Sequence, residues 1–359
     1  MPDLFDPITL RGLTARHRVW LAPMCQYSAV DGVPGDWHLV NLGARATGGF
    51  SLLLTEAAAV TPEGRISPQD AGLWTDEQAG AWSRVVDFVH AQGALIGTQL
   101  AHAGRKGSTY RPWAPHHGSV PVGDGGWSPL GPSAVPYPNY AEPEALTADG
   151  IAEVVRAFRD AAVRAVAAGF DTVELHAAHG YLLHQFLSPL SNRRDDAWGG
   201  SFEGRTRIVL ETVDAVRAVI PDSMPLLVRI SGTDWLEGGW DLEQSTRLSV
   251  HLREHGVDLV DVSSGGNAPA SIPVGPGYQV PLAAGVRAGA DVPTGAVGLV
   301  TEPAQAQKIV ANGEADVVLL ARAALRDPAW PLRAAHELGV PVEDVGWPDQ
   351  YARGVWPTA

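Results

Sequence analysis

Short apolar runs separated by longer amphipathic stretches recur along the whole chain. Residues 19–22, 51–55, 95–100, 172–175, 226–230, 259–262, 294–297 and 317–320 are brief, apolar and rich in Val, Leu and Ile, which predicts strands. Stretches 38–47, 76–92, 148–168, 203–219, 242–255, 278–289, 303–312 and 324–338 carry apolar residues at helical spacing. Strand and helix therefore alternate, and strands that read as continuous apolar runs are those buried on both faces of a parallel sheet. The pattern predicts an α/β chain closed into a (β/α)8 TIM barrel. A doubly wound open sheet is the rival, but it needs a glycine fingerprint after its first strand, and here Pro23 and Met24 follow residues 19–22.

Three segments stand outside the alternation. Residues 4–18 suggest an N-terminal cap or hairpin. The insertion 101–147, with Pro112, Pro115, Pro121, Trp113, Trp127, Tyr137 and Tyr140, predicts a rigid aromatic wall after strand three. Residues 340–359 lack periodicity and are expected to form a tail docking on a neighbouring subunit.

The 359 residues suit one barrel domain with insertions, and 45% apolar against 18% charged residues favours a large core over disorder. A formal charge of −14 disfavours nucleic acid and anionic membrane as partners. Cys25 is the only cysteine, so an internal disulfide or cysteine-based metal cluster is excluded. The first twenty residues lack the apolar stretch of a signal peptide and no long apolar span follows, so a cytoplasmic protein is expected.

Chemistry in such a barrel gathers at the carboxyl ends of the strands. Strand four releases His176, His179 and Tyr181 within six residues, followed by a polar loop from Ser191 to Gly200 that frames a mouth. The other ends offer Cys25 and Tyr27, Glu56 and Ala57, Gln99, His102, Arg105 and Lys106, Arg229, Ser263 to Gly266, Gly298 and Arg322. Metal binding by His176 and His179, with His102 or Glu174, is one alternative, although the spacing of three is not that of a zincin helix. Cys25 as a nucleophile is another, weighed against a small buried thiol. Gly265, Gly266, Gly298, Ala321 and Arg322 suit a phosphate, which barrels often bind at loops seven and eight.

The stretches LAPMCQYSA (21–29), TEAAAVTPEGRISPQDAGLW (55–74), QLAHAGRK (99–106), VELHAAHGYLLHQFLSPLSNRRDDAWGGSFEGR (173–205) and LLVRISGTDW (226–235) closely resemble the old yellow enzyme family of flavin-dependent ene-reductases. They are most similar to its bacterial thermophilic-like subgroup, which includes xenobiotic reductases. The resemblance implies noncovalent FMN at the barrel mouth, reduced by NADPH or NADH. Gln99 and Arg229 would hold the pyrimidine side of the ring, Pro23, Met24 and Ala57 would line it, and Cys25 would tune its potential without attacking. His176 and His179 would bind the substrate oxygen, with Tyr27 beside them. Hydride would pass from flavin N5 to the β-carbon of an activated alkene, and Tyr181 would protonate the α-carbon.

The same resemblance places phosphate at Gly298, Ala321 and Arg322, where alanine stands in place of the family's usual glycine. It makes Trp113 a substrate wall, and Arg353 a residue reaching the neighbour's active site in a homodimer or homotetramer. Arg105 and Lys106 are expected to contact the nicotinamide cofactor or the flavin edge. FMN-dependent dehydrogenation or demethylation of a small metabolite, or a noncatalytic binding barrel, are the alternative functions.

Overall fold

The computed structural model describes residues 2–356. Eight parallel strands close into a barrel, numbered here in chain order: β1 (Val19–Leu21), β2 (Leu52–Ala59), β3 (Leu95–Ala101), β4 (Thr172–Ala177), β5 (Leu226–Ser231), β6 (Leu259–Ser263), β7 (Thr294–Ala296) and β8 (Val317–Leu320). Each strand pairs with its sequence neighbours, and β8 closes the barrel against β1 through Val318 to Leu320 and Val19 to Leu21. The helices are α1 (Asp36–Thr47), α2 (Asp76–Ala91), α3 (Ala148–Ala167), α4 (Leu182–Leu187), α5 (Phe202–Arg217), α6 (Leu242–Glu254), α7 (Val280–Ala290), α8 (Pro303–Ala311), α9 (Arg322–Arg326) and α10 (Trp330–Leu338). The predicted fold is thus the observed one.

Period-two alternation sorts the strand side chains into two environments. Val173, Leu175, Val228, Ile230, Val260 and Val262 face outward into the large core between strands and helices. Trp20, Leu52, Leu54, Leu227, Leu259, Val317 and Leu319 fill the barrel interior. The hairpin of Ile8–Leu10 and Leu13–Ala15 adds Leu10 and Ala15 to that interior cluster, capping the amino-terminal end. Above the apolar layer the inward residues become polar: Gln99, Glu174, His176, Arg229, Ser231, Asp261 and Ser263 are all buried. The alternation thus lifts polar groups toward one end of the barrel only.

Three local departures from the sequence reading have identifiable causes. Strand β2 runs on to Ala59 because a bulge between Leu54 and Ala57 shifts its register against β3. The bulge turns Glu56 toward α1, where Oε1 lies 3.0 Å from His38 Nε2, and Ala57 inward. Helix α4 was not foreseen, since Leu182 to Leu187 are all buried and leave no amphipathic period to read. The closing helix divides into α9 and α10 because Pro328 disfavours helical backbone at Asp327, which takes φ −132° and ψ 89°.

Candidate active site

The turn after β4 is built by close backbone packing. Gly180 has φ +71°, and a Cβ there would lie 2.2 Å from the carbonyl oxygen of Gly266. Gly266, with φ +89°, would bring a Cβ to 2.6 Å from the carbonyl oxygen of His179, so both positions require glycine. His179 itself takes φ +58°, a strained value for a side chain of its size. Lys106 secures this crossing by donating from Nζ to His179 O at 2.8 Å and Gly266 O at 3.0 Å. From below, Gly180 N–H donates to His184 Nδ1 at 2.9 Å, and His184 Nε2 stands 3.1 Å from Asp234 Oδ1, both side chains fully buried.

These constraints bring His176, His179 and Tyr181 together. The imidazole centroids are 5.1 Å apart and nearly perpendicular, and the Tyr181 ring stands 4.9 Å from that of His176. His176 Nδ1 accepts from Ala178 N–H at 3.2 Å, which leaves its proton on Nε2, 3.4 Å from His179 Nδ1. His179 Nε2 lies 2.7 Å from Ser263 Oγ, and that hydroxyl reaches Gln279 Oε1 at 3.2 Å. Burial, reinforced by the charge of Arg229, holds both imidazoles well below their ordinary pKa, so they are neutral donors at pH 7. Burial also raises the Tyr181 and Tyr27 phenols above their ordinary value, keeping both protonated.

A cavity of about 520 Å³ opens beside Tyr181, lined by Tyr27, Tyr110, Tyr137, Tyr140 and Tyr181 with Lys106 among others; neither His176 nor His179 lines it. Five of the chain's seven tyrosines therefore meet at one mouth. A second cavity of about 170 Å³ extends from Arg229 and Ser263 past Gln279, Gly298 and Leu299 to Arg322 and Arg326. Its far end carries two guanidinium groups. Among the described residues, no three His, Cys, Asp or Glu side chains converge as a metal site would need.

Neutral imidazoles and a phenol thus gather at one end of the barrel, with a cationic cleft between loops seven and eight. Residues 3–340 match the model of the NADH:flavin oxidoreductase / NADH oxidase family. The chain belongs to that family. It is 46% identical over 354 residues to an NADPH dehydrogenase of Geobacillus thermodenitrificans, covering 98% of each chain. The fold is similar to morphinone reductase, with TM-score 0.79 and 31% identity, covering 95% of this chain and 90% of that one. It is also similar to an old yellow enzyme homologue of Zymomonas mobilis, with TM-score 0.78, 26% identity and full coverage of both chains.

The protein is an FMN- and NAD(P)H-using oxidoreductase of the Old Yellow Enzyme family, acting on activated alkenes. Its residues fit that cofactor class: neither Nη group of Arg229 has a hydrogen-bond partner among the described residues, and Arg322 and Arg326 suit a phosphomonoester. Gly298, Ala321 and Arg322 line the cleft. Gly265 does not: its N–H donates to Thr233 O at 2.8 Å and its carbonyl accepts from Ser231 Oγ at 2.9 Å. Gln99 lies deeper, donating from Nε2 to Glu174 Oε1 at 2.8 Å.

Pro23, Met24 and Cys25 lie, partly exposed, in the loop beyond β1, and inward-turned Ala57 lines a small cavity with Asp70 and Tyr181. Burial, together with Asp70 and Glu56, raises the Cys25 pKa well above the usual thiol value, so it is a poor nucleophile at neutral pH. Trp113 is 59% exposed and packs edge-on to Tyr27 at 5.6 Å, on the rim of the mouth. Arg353 is exposed on the 3-10 turn Asp349–Gly354 and does not line the mouth of its own chain, while Pro357 to Ala359 lie outside the described residues.

Arg105 and Lys106 carry structural contacts beside the mouth, which Lys106 also lines. Arg105 is spent on Val135 O at 3.0 Å and on Asn267, and Lys106 on the turn carbonyls, so both act as clamps between loops. Tyr137 and Tyr140, expected in an aromatic wall, do line the mouth, whereas the sequence reading passed over Gln279, Arg326 and Tyr110. The Arg322 and Arg326 pair, one helical turn apart, was the signal that could have been read.

Proposed function

We propose that this enzyme reduces the C=C bond of α,β-unsaturated aldehydes, ketones, imides or nitroalkenes with His176 and His179 as oxygen donors and Tyr181 as the proton donor. Arg322, Gly298 and Ala321 would hold the phosphate of FMN, Arg229 and Gln99 the pyrimidine edge of its ring, and Pro23, Met24, Cys25 and Ala57 the remaining ring surface. When bound, FMN supplies the hydride acceptor for NADPH or NADH and the hydride donor for the alkene.

The observation that carries this reading is the meeting of two neutral imidazoles and a protonated phenol, with Tyr181 4.9 Å from His176. Neutral N–H donors polarise a carbonyl or nitro oxygen without a fixed positive charge that would trap an anionic product. For both rings to donate to one oxygen, His179 must carry its proton on Nδ1. Ser263 permits this, since its hydroxyl can donate to His179 Nε2 in place of Gln279 Oε1. Tyr181, held at the first turn of α4, would then give its proton to the α-carbon, and Tyr27 would add a hydrogen bond to the oxygen.

The tyrosine-lined mouth, with Trp113 on its rim, favours flat conjugated substrates. The acidic chain is proposed to self-associate as a dimer or tetramer, with Arg353 completing the mouth of a neighbouring subunit.

An anaerobic absorbance titration with NADPH and then cyclohexenone tests the reading. The flavin bands should bleach and return. Tyr181→Phe should slow the return about 100-fold or more while leaving the bleaching nearly intact. Equal loss of both phases would remove Tyr181 from the proton-donor role.

A further inference from the structure

Four consecutive strands place a polar layer in the barrel interior, directly below the His176 level. Gln99 on β3 is the register partner of Glu174 on β4, and Arg229 on β5 that of Asp261 on β6. Glu174 and Asp261 have no exposed surface. Arg229 Nε stands 2.9 Å from Asp261 Oδ2, and Gln99 Nε2 donates to Glu174 Oε1 at 2.8 Å. Beneath them the interior is apolar, with Leu227, Leu259 and Leu319.

Two acids and one guanidinium in a dry interior do not balance if both acids ionise. Each desolvated charge costs several kcal/mol, about what a partner returns, and only Asp261 has a cationic partner in contact. Glu174 has an amide on Oε1 and no partner on Oε2, whereas Asp261 has the Arg229 ion pair, with no aligned hydrogen bond on either oxygen among the described residues. Burial raises both carboxyl pKa values, while Arg229 pulls against the rise. The economical state leaves Asp261 ionised and Glu174 protonated.

The geometry also directs donors. With Nε turned to Asp261, Arg229 keeps both Nη groups for the flavin cavity that it lines. With one N–H committed to Glu174, Gln99 keeps its Oε1 and second N–H, neither of which has a protein partner among the described residues.

We propose that Asp261 is a positioning residue that sets the reduction potential of bound FMN, by orienting Arg229 through Nε and by cancelling part of the guanidinium's positive field, while neutral Glu174 only orients Gln99. The inference rests on the FMN site described above. Reduction places negative charge at the pyrimidine end of the ring, which the Arg229 field favours. An anion against that guanidinium therefore holds the potential down.

The test is the midpoint potential of full-length, FMN-loaded protein, measured against reference dyes, alongside FMN affinity by fluorescence. Asp261→Asn keeps an oxygen for Arg229 Nε and removes the charge. It should shift the equilibrium about tenfold or more toward reduced flavin. Asp261→Leu also removes the charge but offers Nε no acceptor, so it should give a smaller shift than Asp261→Asn, with weaker FMN binding. Glu174→Gln should leave the potential near wild type.

A merely structural role for Asp261 would not raise the potential in the isosteric variant. If Asp261→Asn holds FMN poorly, Asp261→Ser is read by the same sign. An unchanged or lowered potential in FMN-loaded Asp261→Asn would overturn the proposal, as would a shift in Glu174→Gln equal to that in Asp261→Asn. Failure of the wild-type protein to bind FMN would instead overturn the site reading beneath it.

Discussion

The ammonium of Lys106 lies 2.8 Å from the main-chain oxygen of His179, and so ties a strained imidazole-bearing residue to the loop after β3. The same ammonium sits between the rings of Tyr137 and Tyr181, at 4.9 and 5.0 Å from their centroids. Burial lowers its pKa to about 8, with Arg105 adding to the effect. Lys106→Met removes the donor yet keeps most of the packing. Charged hydrogen bonds of this kind contribute about 1.5–3 kcal/mol, so kcat/KM for an enone should fall roughly 10- to 100-fold with FMN affinity unchanged. Steady-state kinetics beside an FMN titration separates the two. Unaltered kcat/KM would show that the turn holds without the tether.

Ser263 is the hinge of the His179 tautomer, with its hydroxyl 2.7 Å from Nε2 and 3.2 Å from Gln279 Oε1. Ser263→Ala leaves Nε2 without a donor and favours the tautomer that keeps Nδ1 as an acceptor. Reoxidation by the enone should slow about tenfold, roughly one hydrogen bond to a developing charge, while reduction by NADPH changes less. Stopped-flow absorbance of the two half reactions checks this. Parallel slowing of both would point to a disturbed flavin, since Ser263 also lines that cavity.

Much of this site was legible because the period-two pattern of β4 puts Glu174 and His176 on one face and Val173 and Leu175 on the other. Alternation cannot register a one-residue bulge, so Glu56 looked like a mouth residue although it pairs with His38. The carbonyl contacts of Lys106 and Arg105 were not legible either: a sequence shows a charge at a strand end, but not the carbonyls that a distant loop brings to it. Tyr137 and Tyr140 were legible as an aromatic wall from the composition of the insertion, but without periodicity only the folded loop shows that Tyr110 joins them against Tyr27 and Tyr181.

The two arginines at the end of the flavin cleft predict a phosphate-specific loss. Arg322→Ala should weaken FMN binding about 10- to 100-fold, as expected for a charge-assisted contact, while riboflavin binding, which lacks the phosphate, stays near wild type. Fluorescence titrations of apoprotein with both flavins make the comparison. Equal weakening of the two would place Arg322 outside the phosphate site.

Arg353 projects from an exposed turn beside Trp356, which stacks on His336 at 4.9 Å. If it completes a neighbouring mouth, Arg353→Ala should raise KM for the enone about tenfold with little change in kcat, the signature of lost binding shared by ground and transition states. Sedimentation at the assay concentration shows whether the assembly persists. A wild-type KM in an intact oligomer would leave Arg353 a surface residue.

Asp70 gives stability a pH dependence of definite sign. It is buried and accepts from Ile66 N–H, Ser67 N–H and Ser67 Oγ, yet desolvation lifts its pKa from 3.8 to about 7. The folded chain therefore holds a proton that the unfolded chain has lost between those values. This stabilisation is complete below the unfolded pKa and is lost as pH rises through the folded one, by up to about 1.4 kcal/mol per pH unit. His17, lowered to about 3 by burial, changes stability in the opposite sense over the acid range, so the raw curve mixes both. Subtracting Asp70→Asn isolates the carboxyl, because its lost hydrogen bonds add a constant offset. The wild-type advantage from denaturant unfolding should decline by roughly 1 kcal/mol per pH unit between pH 5 and 7 and then level off. A difference independent of pH would mean that Asp70 ionises as it would in water.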